Sequence, residues 1–373
     1  MRFLRYEDQL QSREARFLNT TSATASPLAA PAQAHANRFV VLDGWRGISI
    51  LLVLATHFLP LGPKSWKLNL AAGPLGMTIF FCLSGFLITN FLLHNKSVTD
   101  FIIRRFFRIV PLAWLCLAIG LPMAGASVDS YFANYLFYAN LPPFWLEPVT
   151  AHYWSLCVEM QFYAGIALLV LLLRDRGLLL IPVLCLFFTG VRIVNGEPMS
   201  IVTYFRVDDI LAGGVSALAF NGRLGRVLPN VIRAANPYAL LFFLLIACHP
   251  DSGLFNYARP YLAALLVGTT LLRDKTPFGS LLTHKWLVYV AAISYALYVI
   301  HPLLGHTWLG SGEGLTRYVK RPLLFAAVFL AAHLSTFYFE HPWIAFGKQL
   351  SRRIRSRSSA PRGDRKPDSV SSP

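Results

Sequence analysis

Apolar runs of about twenty residues recur along this chain, separated by short polar punctuation, which is the pattern of helices that each cross a bilayer. The runs predict spanning helices over 39–60, 73–94, 109–125, 153–173, 178–194, 204–220, 237–249, 258–272, 285–306 and 321–340. The seventh and eighth are short for a hydrocarbon core about 30 Å thick, so their boundaries are the least defined. Between the second and third runs, the segment from Asp100 to Arg108 reads as a basic amphipathic turn lying at the surface. An aromatic loop rich in Tyr, Phe and Asn separates the third run from the fourth. The fold class expected is all-α, a polytopic integral membrane protein of ten transmembrane helices. Residues 1–38 contain Glu7, Asp8 and Glu14 and an Ala/Thr/Ser/Pro-rich stretch without an apolar core. They read as a disordered tail and not as a secretory signal, so the first span must direct insertion. Residues 347–373 read as a disordered basic tail suited to anionic lipid. Residues 39–346 then form one transmembrane domain, with no internal repeat and no second, soluble domain.

Composition agrees with the pattern: 55% of residues are hydrophobic and 14% charged, and the mean hydropathy is +0.50. A formal charge of +16 suggests nucleic acid at first, but the cations sit in short loops and tails. With both termini on one side, the loops and tails of that side hold 25 Lys and Arg and the opposite loops six. The positive-inside rule then places both termini and the RRFFR segment in the cytoplasm. Five cysteines (Cys82, Cys116, Cys157, Cys185, Cys248) lie in or beside apolar runs and show no metal-type spacing, so they read as core filling and no metal is expected.

The first span carries an unusual burden. Asp43-Gly44-Trp45-Arg46-Gly47 opens it and His57 closes it. Arg46 and His57 are eleven residues apart, which on a helix returns them to one stripe within roughly 20° and about 16 Å apart along the axis. Ionisable groups in a span are expensive and mark functional sites. A snorkelling arginine paired with Asp43 and an interfacial histidine are the plain readings, but each needs a separate excuse. A neutral imidazole there suits a general base acting on a hydroxyl. Arg105 and Arg108 present two guanidinium forks on one face, suited to phosphates, although positive-inside topology also explains any basic loop. Gly85, beside Ser84, permits close helix approach or a kink. Glu159, with Ser155 and Tyr163 one turn to either side, requires a partner, Arg192 and Arg206 being available. Arg206, Asp208 and Asp209, together with His301, His333 and Glu340, read as structural.

In order along the chain, LDGWRGISILLVLATH, FFCLSGFLIT, RRFFRIVP, YWSLCVEMQFY, RVDDILAGG, ISYALYVIHP and FYFEHPW resemble the membrane acyltransferase-3 family. Its members are polytopic bacterial enzymes that acylate hydroxyls of surface sugars, nodulation factors and some antibiotics. The motifs span residues 39–346, with one departure at Met160, where the family pattern carries an acid. The resemblance implies ten spans in the bacterial cytoplasmic (inner) membrane and an acyl-CoA donor, acetyl-CoA in the first instance, entering from the cytoplasm. It implies His57 as the catalytic residue with Arg46 its partner on the donor path, and Arg105 and Arg108 as coenzyme A phosphate contacts. Glu159 joins the catalytic set, and Ser84 and Gly85 the donor-binding set. The expected activity is O-acylation of a carbohydrate or glycolipid hydroxyl, with the bilayer, acyl-CoA and that acceptor as partners and no nucleic acid. The alternative is a transporter or flippase of an acylated or glycosylated lipid, since intramembrane charge also marks transport pathways. The soluble esterase-like domain fused to some family members is expected to be missing.

Overall fold

A bilayer offers no water to backbone N–H and C=O groups, so each apolar run must close its own hydrogen bonds as a helix. The computed structural model describes residues 29–95, 97–273 and 276–359, and among the described residues it is helical throughout, without strands. Contacts divide the chain into residues 1–38 and 39–373; the expectation for 1–28 lies outside the described residues.

The helices in chain order are α1 (Ala29–Phe58), α2 (Leu68–His94), α3 (Val98–Ala124), α4 (Val128–Tyr135), α5 (Trp154–Leu173), α6 (Ile181–Val194), α7 (Val207–Phe220), α8 (Val227–Ala234), α9 (Pro237–Ala247), α10 (Arg259–Leu272), α11 (Pro277–Leu282), α12 (Lys285–Ala292), α13 (Ser294–Gly305), α14 (Gly314–Leu334) and α15 (His341–Ser359). A π-helical stretch, Ser335–Glu340, joins the last two. Among the described residues six helical stretches are long and apolar enough to cross a membrane. Two bent pairs, α8 with α9 at 92° and α12 with α13 at 64°, raise the number to eight. The sixth and eighth expected spans are the 14-residue helices α7 and α10. Each reaches only about 21 Å, and charges at their ends (Asp208, Asp209, Arg259) dilute the apolar signal.

Three expectations need correction. Residues 29–38, expected as part of the disordered tail, open α1. The segment from Asp100 to Arg108 is not a separate surface turn but the opening of α3, because Ser97 caps the helix by accepting from the Asp100 N–H and so starts it ahead of the arginines. Nor does disorder begin at residue 347. α15 runs on to Ser359, held on α3 by Phe107, which stacks on Trp343 at 6.1 Å and meets Phe346 edge-on at 5.1 Å. Ser351 also donates to Asp100. Residues 360–373 lie outside the described residues.

Glycine decides where the helices touch. A Cβ on Gly85 would lie 1.7 Å from the Ile210 carbonyl oxygen, and one on Gly213 1.9 Å from that of Cys82, so α2 and α7 cross backbone to backbone. Gly44 and Gly47, flanking Arg46, approach the carbonyls of Leu282 and Leu287 in the same way. That contact, with the Trp45 indole N–H donating to Thr270 at 2.9 Å, fixes the rotation of α1 and therefore the direction of Arg46. The five cysteines are buried and unpaired.

Candidate active site

α1 brings Arg46 and His57 to different depths. The Arg46 guanidinium pairs with Asp43 at 2.9 Å and also lines two adjoining cavities. His57 is exposed to a third, at the other end of the helix. Its Nδ1 lies 2.8 Å from the Val53 carbonyl oxygen. A carbonyl only accepts, so Nδ1 carries the hydrogen, and in the neutral imidazole Nε2 keeps the lone pair, the tautomer a general base requires.

Three cavities adjoin through shared lining residues, and a fourth, at His57, shares none with them. At the α3–α15 end, one of about 180 Å³ is lined by Arg104, Arg105, Arg108 and Lys348. Next comes one of about 40 Å³ that shares Arg105 and Arg108 and adds Arg46, Ser84, Glu159 and Tyr163. A third, about 30 Å³, shares Arg46 and Glu159 and extends to Ser49, Val53 and Tyr298. The last, about 280 Å³, is lined by His57, His152, His301, Arg317 and Arg321. Val53 and Tyr298 form the partition before it: Val53 holds His57, and the Tyr298 ring lies 6.0 Å from His301 and 5.4 Å from His152. The Tyr298 hydroxyl donates to the His152 carbonyl at 2.6 Å and lies 2.6 Å from Ser155 Oγ.

Glu159 is buried and accepts from Ser84 Oγ and, at 2.5 Å, from the Tyr163 hydroxyl. Tyr163 in turn presents its ring face to Arg105, 5.6 Å from the guanidinium carbon. The partners proposed for Glu159 from sequence are engaged elsewhere. Arg192 pairs with Asp208, and Arg206 with Asp209 at 3.1 Å. No hydrogen bond or ion pair joins Glu159 to His57, and the two line different cavities. Arg104 is occupied by Asp100 at 2.6 Å, whereas no described carboxylate lies within ion-pair distance of Arg105 or Arg108. Those two guanidiniums therefore face the cavities with their donors open. Ser84 lines the second cavity, while Gly85 belongs to the α2–α7 crossing.

Sequence reasoning missed part of this arrangement. His57 and His301 lie 5.0 Å apart between ring centroids, and His301 and His152 5.5 Å. His301, read as structural, has Nδ1 at 2.8 Å from the Tyr298 carbonyl and leaves a buried Nε2 unpartnered. His152 has both ring nitrogens buried and unpartnered. The signals were present in ISYALYVIHP, which ends on His301-Pro302, and in His152 directly before YWS. Lys348 had no signal beyond its charge. Among the described residues, no group of three or more His, Cys, Asp or Glu has the arrangement to hold a metal ion.

A family model described as an acyltransferase domain, acyltransferase-3, matches residues 39–341. Among curated proteins, the chain is similar to the peptidoglycan O-acetyltransferase OatA of Listeria monocytogenes, 27% identical over 81% of this chain and 55% of that one. It is also similar to an inferred O-acetyltransferase of Staphylococcus aureus, 25% identical over 70% and 49%. A third relative is nodulation protein 10 of Rhizobium leguminosarum, 26% identical over 36% and 44%. The chain spans about half the length of the curated relatives it matches. No solved structure matches significantly.

Proposed function

Because the chain belongs to the acyltransferase-3 family, we propose that it is an O-acyltransferase of the bacterial inner membrane. It carries an acyl group, most simply acetyl, from cytoplasmic acyl-CoA to a hydroxyl of a carbohydrate or glycolipid. In this reading ten helices cross the membrane, with α7 and α10 as short crossings and both termini cytoplasmic. The observation that carries the proposal is this set of cavities, with unpaired Arg105 and Arg108 at one end and a histidine with a free Nε2 at the other.

The donor's phosphates sit in the cleft of Arg105, Arg108 and Lys348, where guanidinium forks match phosphate oxygens. Its thin thioester arm runs inward past Ser84, Arg46 and Glu159 toward Val53 and Tyr298. At about 40 and 30 Å³ the middle cavities are the constriction, and side chains lining both, such as Phe80 and Tyr295, must turn aside to admit the arm. His57 Nε2 takes the proton of the acceptor hydroxyl as its oxygen bonds to the thioester carbonyl carbon. The C–S bond then breaks, and the coenzyme A thiolate leaves and is protonated. The carbohydrate acceptor is supported by the Listeria relative, a peptidoglycan O-acetyltransferase.

The test is incubation of purified protein with labelled acetyl-CoA and a panel of cell-envelope glycans. Label on a glycan hydroxyl, with free coenzyme A released in equal amount, is expected. Movement of an intact acylated lipid across vesicles without cleavage of acetyl-CoA would instead establish the transporter reading.

A further inference from the structure

The cavity at His57 is lined by a cation that no described carboxylate neutralises. Arg321 lines that cavity and is 9% exposed, and its Nη1 is buried without a hydrogen-bond partner. Its one described contact through charge is the ring face of Tyr318, 5.2 Å from the guanidinium carbon. Arg317, one turn earlier on α14, lines the same cavity. Like charges at i, i+4 repel, yet no described carboxylate lies within ion-pair distance of either arginine. Among the described residues no Asp or Glu lines the cavity. A guanidinium nitrogen buried without a hydrogen-bond partner costs free energy unless a ligand supplies the acceptor.

Topology does not account for the pair. On the proposed orientation, Arg317, Lys320 and Arg321 are half of the six cations expected on the outer side, where the positive-inside rule disfavours them. Lys320 is engaged locally, donating to the Trp308 carbonyl at 3.0 Å with its ammonium 5.3 Å from that ring. Arg317 and Arg321 are left for something that enters the cavity.

We propose that this cavity is an acceptor subsite for an anionic substrate. Arg321, assisted by Arg317, grips an oxyacid group of the acceptor, a sugar carboxylate or the phosphate of a lipid-linked sugar, and so turns a nearby hydroxyl toward His57. This rests on the transferase reading for the word acceptor, but the anion site itself does not.

The experiment uses the full chain purified in detergent and two matched pairs of compounds. One pair is trigalacturonic acid and its methyl ester; the other is a polyprenyl-phosphoryl sugar and the polyprenyl glycoside lacking the phosphate. Calorimetric binding and acetyl transfer from labelled acetyl-CoA are measured on both. In at least one pair the charged member is expected to be favoured tenfold or more, and the favoured pair identifies carboxylate or phosphate. Arg321→Gln should erase that preference through KM with little change in kcat, Arg321→Lys should restore part of it, and Arg317→Gln should weaken it. Equal handling of charged and neutral members by the parent, or a preference that survives Arg321→Gln, overturns the anion site. Should no compound be acetylated, the transferase reading loses its support, and the binding preference alone decides the anion site by the same criteria.

Discussion

Glu159 shows how a single side chain changes meaning between sequence and structure. From sequence it needed a cationic partner, because a lone carboxylate in hydrocarbon is costly. In the structure two hydroxyls satisfy it, Ser84 and Tyr163, and its charge is left to face the cavities that Arg46, Arg105 and Arg108 line. Glu159→Gln keeps the shape and removes that counter-charge. Turnover is expected to fall about tenfold or more while the amount of protein in the membrane stays normal. Full activity would return Glu159 to a purely structural role. That one helix carries both Arg46 and His57 was legible because helical periodicity is a local property. The ring cluster of His57, His152 and His301 was not, since it is assembled from three separate segments. Nothing in the local sequence at one histidine reports the other two.

Among the helices, the buried network on α6, α7 and α10 carries stability more than chemistry. Arg192 pairs with Asp208, Arg206 with Asp209, and Arg259 approaches Asp209 at 3.8 Å, all at 3% exposure or less. Thr189 and Thr78 donate to the two aspartates at 3.1 and 3.2 Å. Removing one partner leaves a buried charge uncompensated, so Asp208→Asn should cost about 3–5 kcal/mol, read as a lower unfolding temperature in detergent. An unchanged midpoint would mean that water reaches Arg192. A weaker clip joins the α1–α2 and α9–α10 loops, where the Lys67 ammonium donates to Asp251 at 2.7 Å and holds that carboxyl below its usual range. A depressed folded pKa stabilises above the unfolded value and stops doing so as pH falls through the folded one. The parent and Asp251→Asn should therefore differ in unfolding midpoint at neutral pH and converge in acid; a difference that grows in acid would refute the pairing. Apolar run length predicted the long helices α1, α2, α3 and α5 well. It was less informative for α7 and α10, where buried charges interrupt the run, for α12–α13, where a sharp bend divides the expected 285–306 crossing between two helices, and for α9, where the expected 237–249 left out α8, which is bent 92° from it.

At the scale of the whole molecule, the proposed chemistry depends on two ends that face different compartments. Reporter fusions at residues 30 and 360 should both read as cytoplasmic; opposite sides would mean an odd number of crossings and would put Arg105 and His57 in the wrong relation to the donor. Given that topology, damage at the two ends should appear in different kinetic terms. The Arg105 and Arg108 guanidiniums have no described carboxylate to release before meeting phosphate, so replacing either with Gln should raise the apparent KM for acyl-CoA and weaken coenzyme A binding. Lys in either place should rescue only part, because an ammonium restores charge without the fork. His57 stands at the other end, beyond the partition of Val53 and Tyr298. Its replacement by Ala should leave coenzyme A binding nearly intact and lower kcat by roughly a hundredfold or more. Binding and turnover measured on the same purified variants separate the two. Arginine variants that bind coenzyme A like the parent, or near-normal turnover in His57→Ala, would mean that these cavities are not the path along which the acyl group travels.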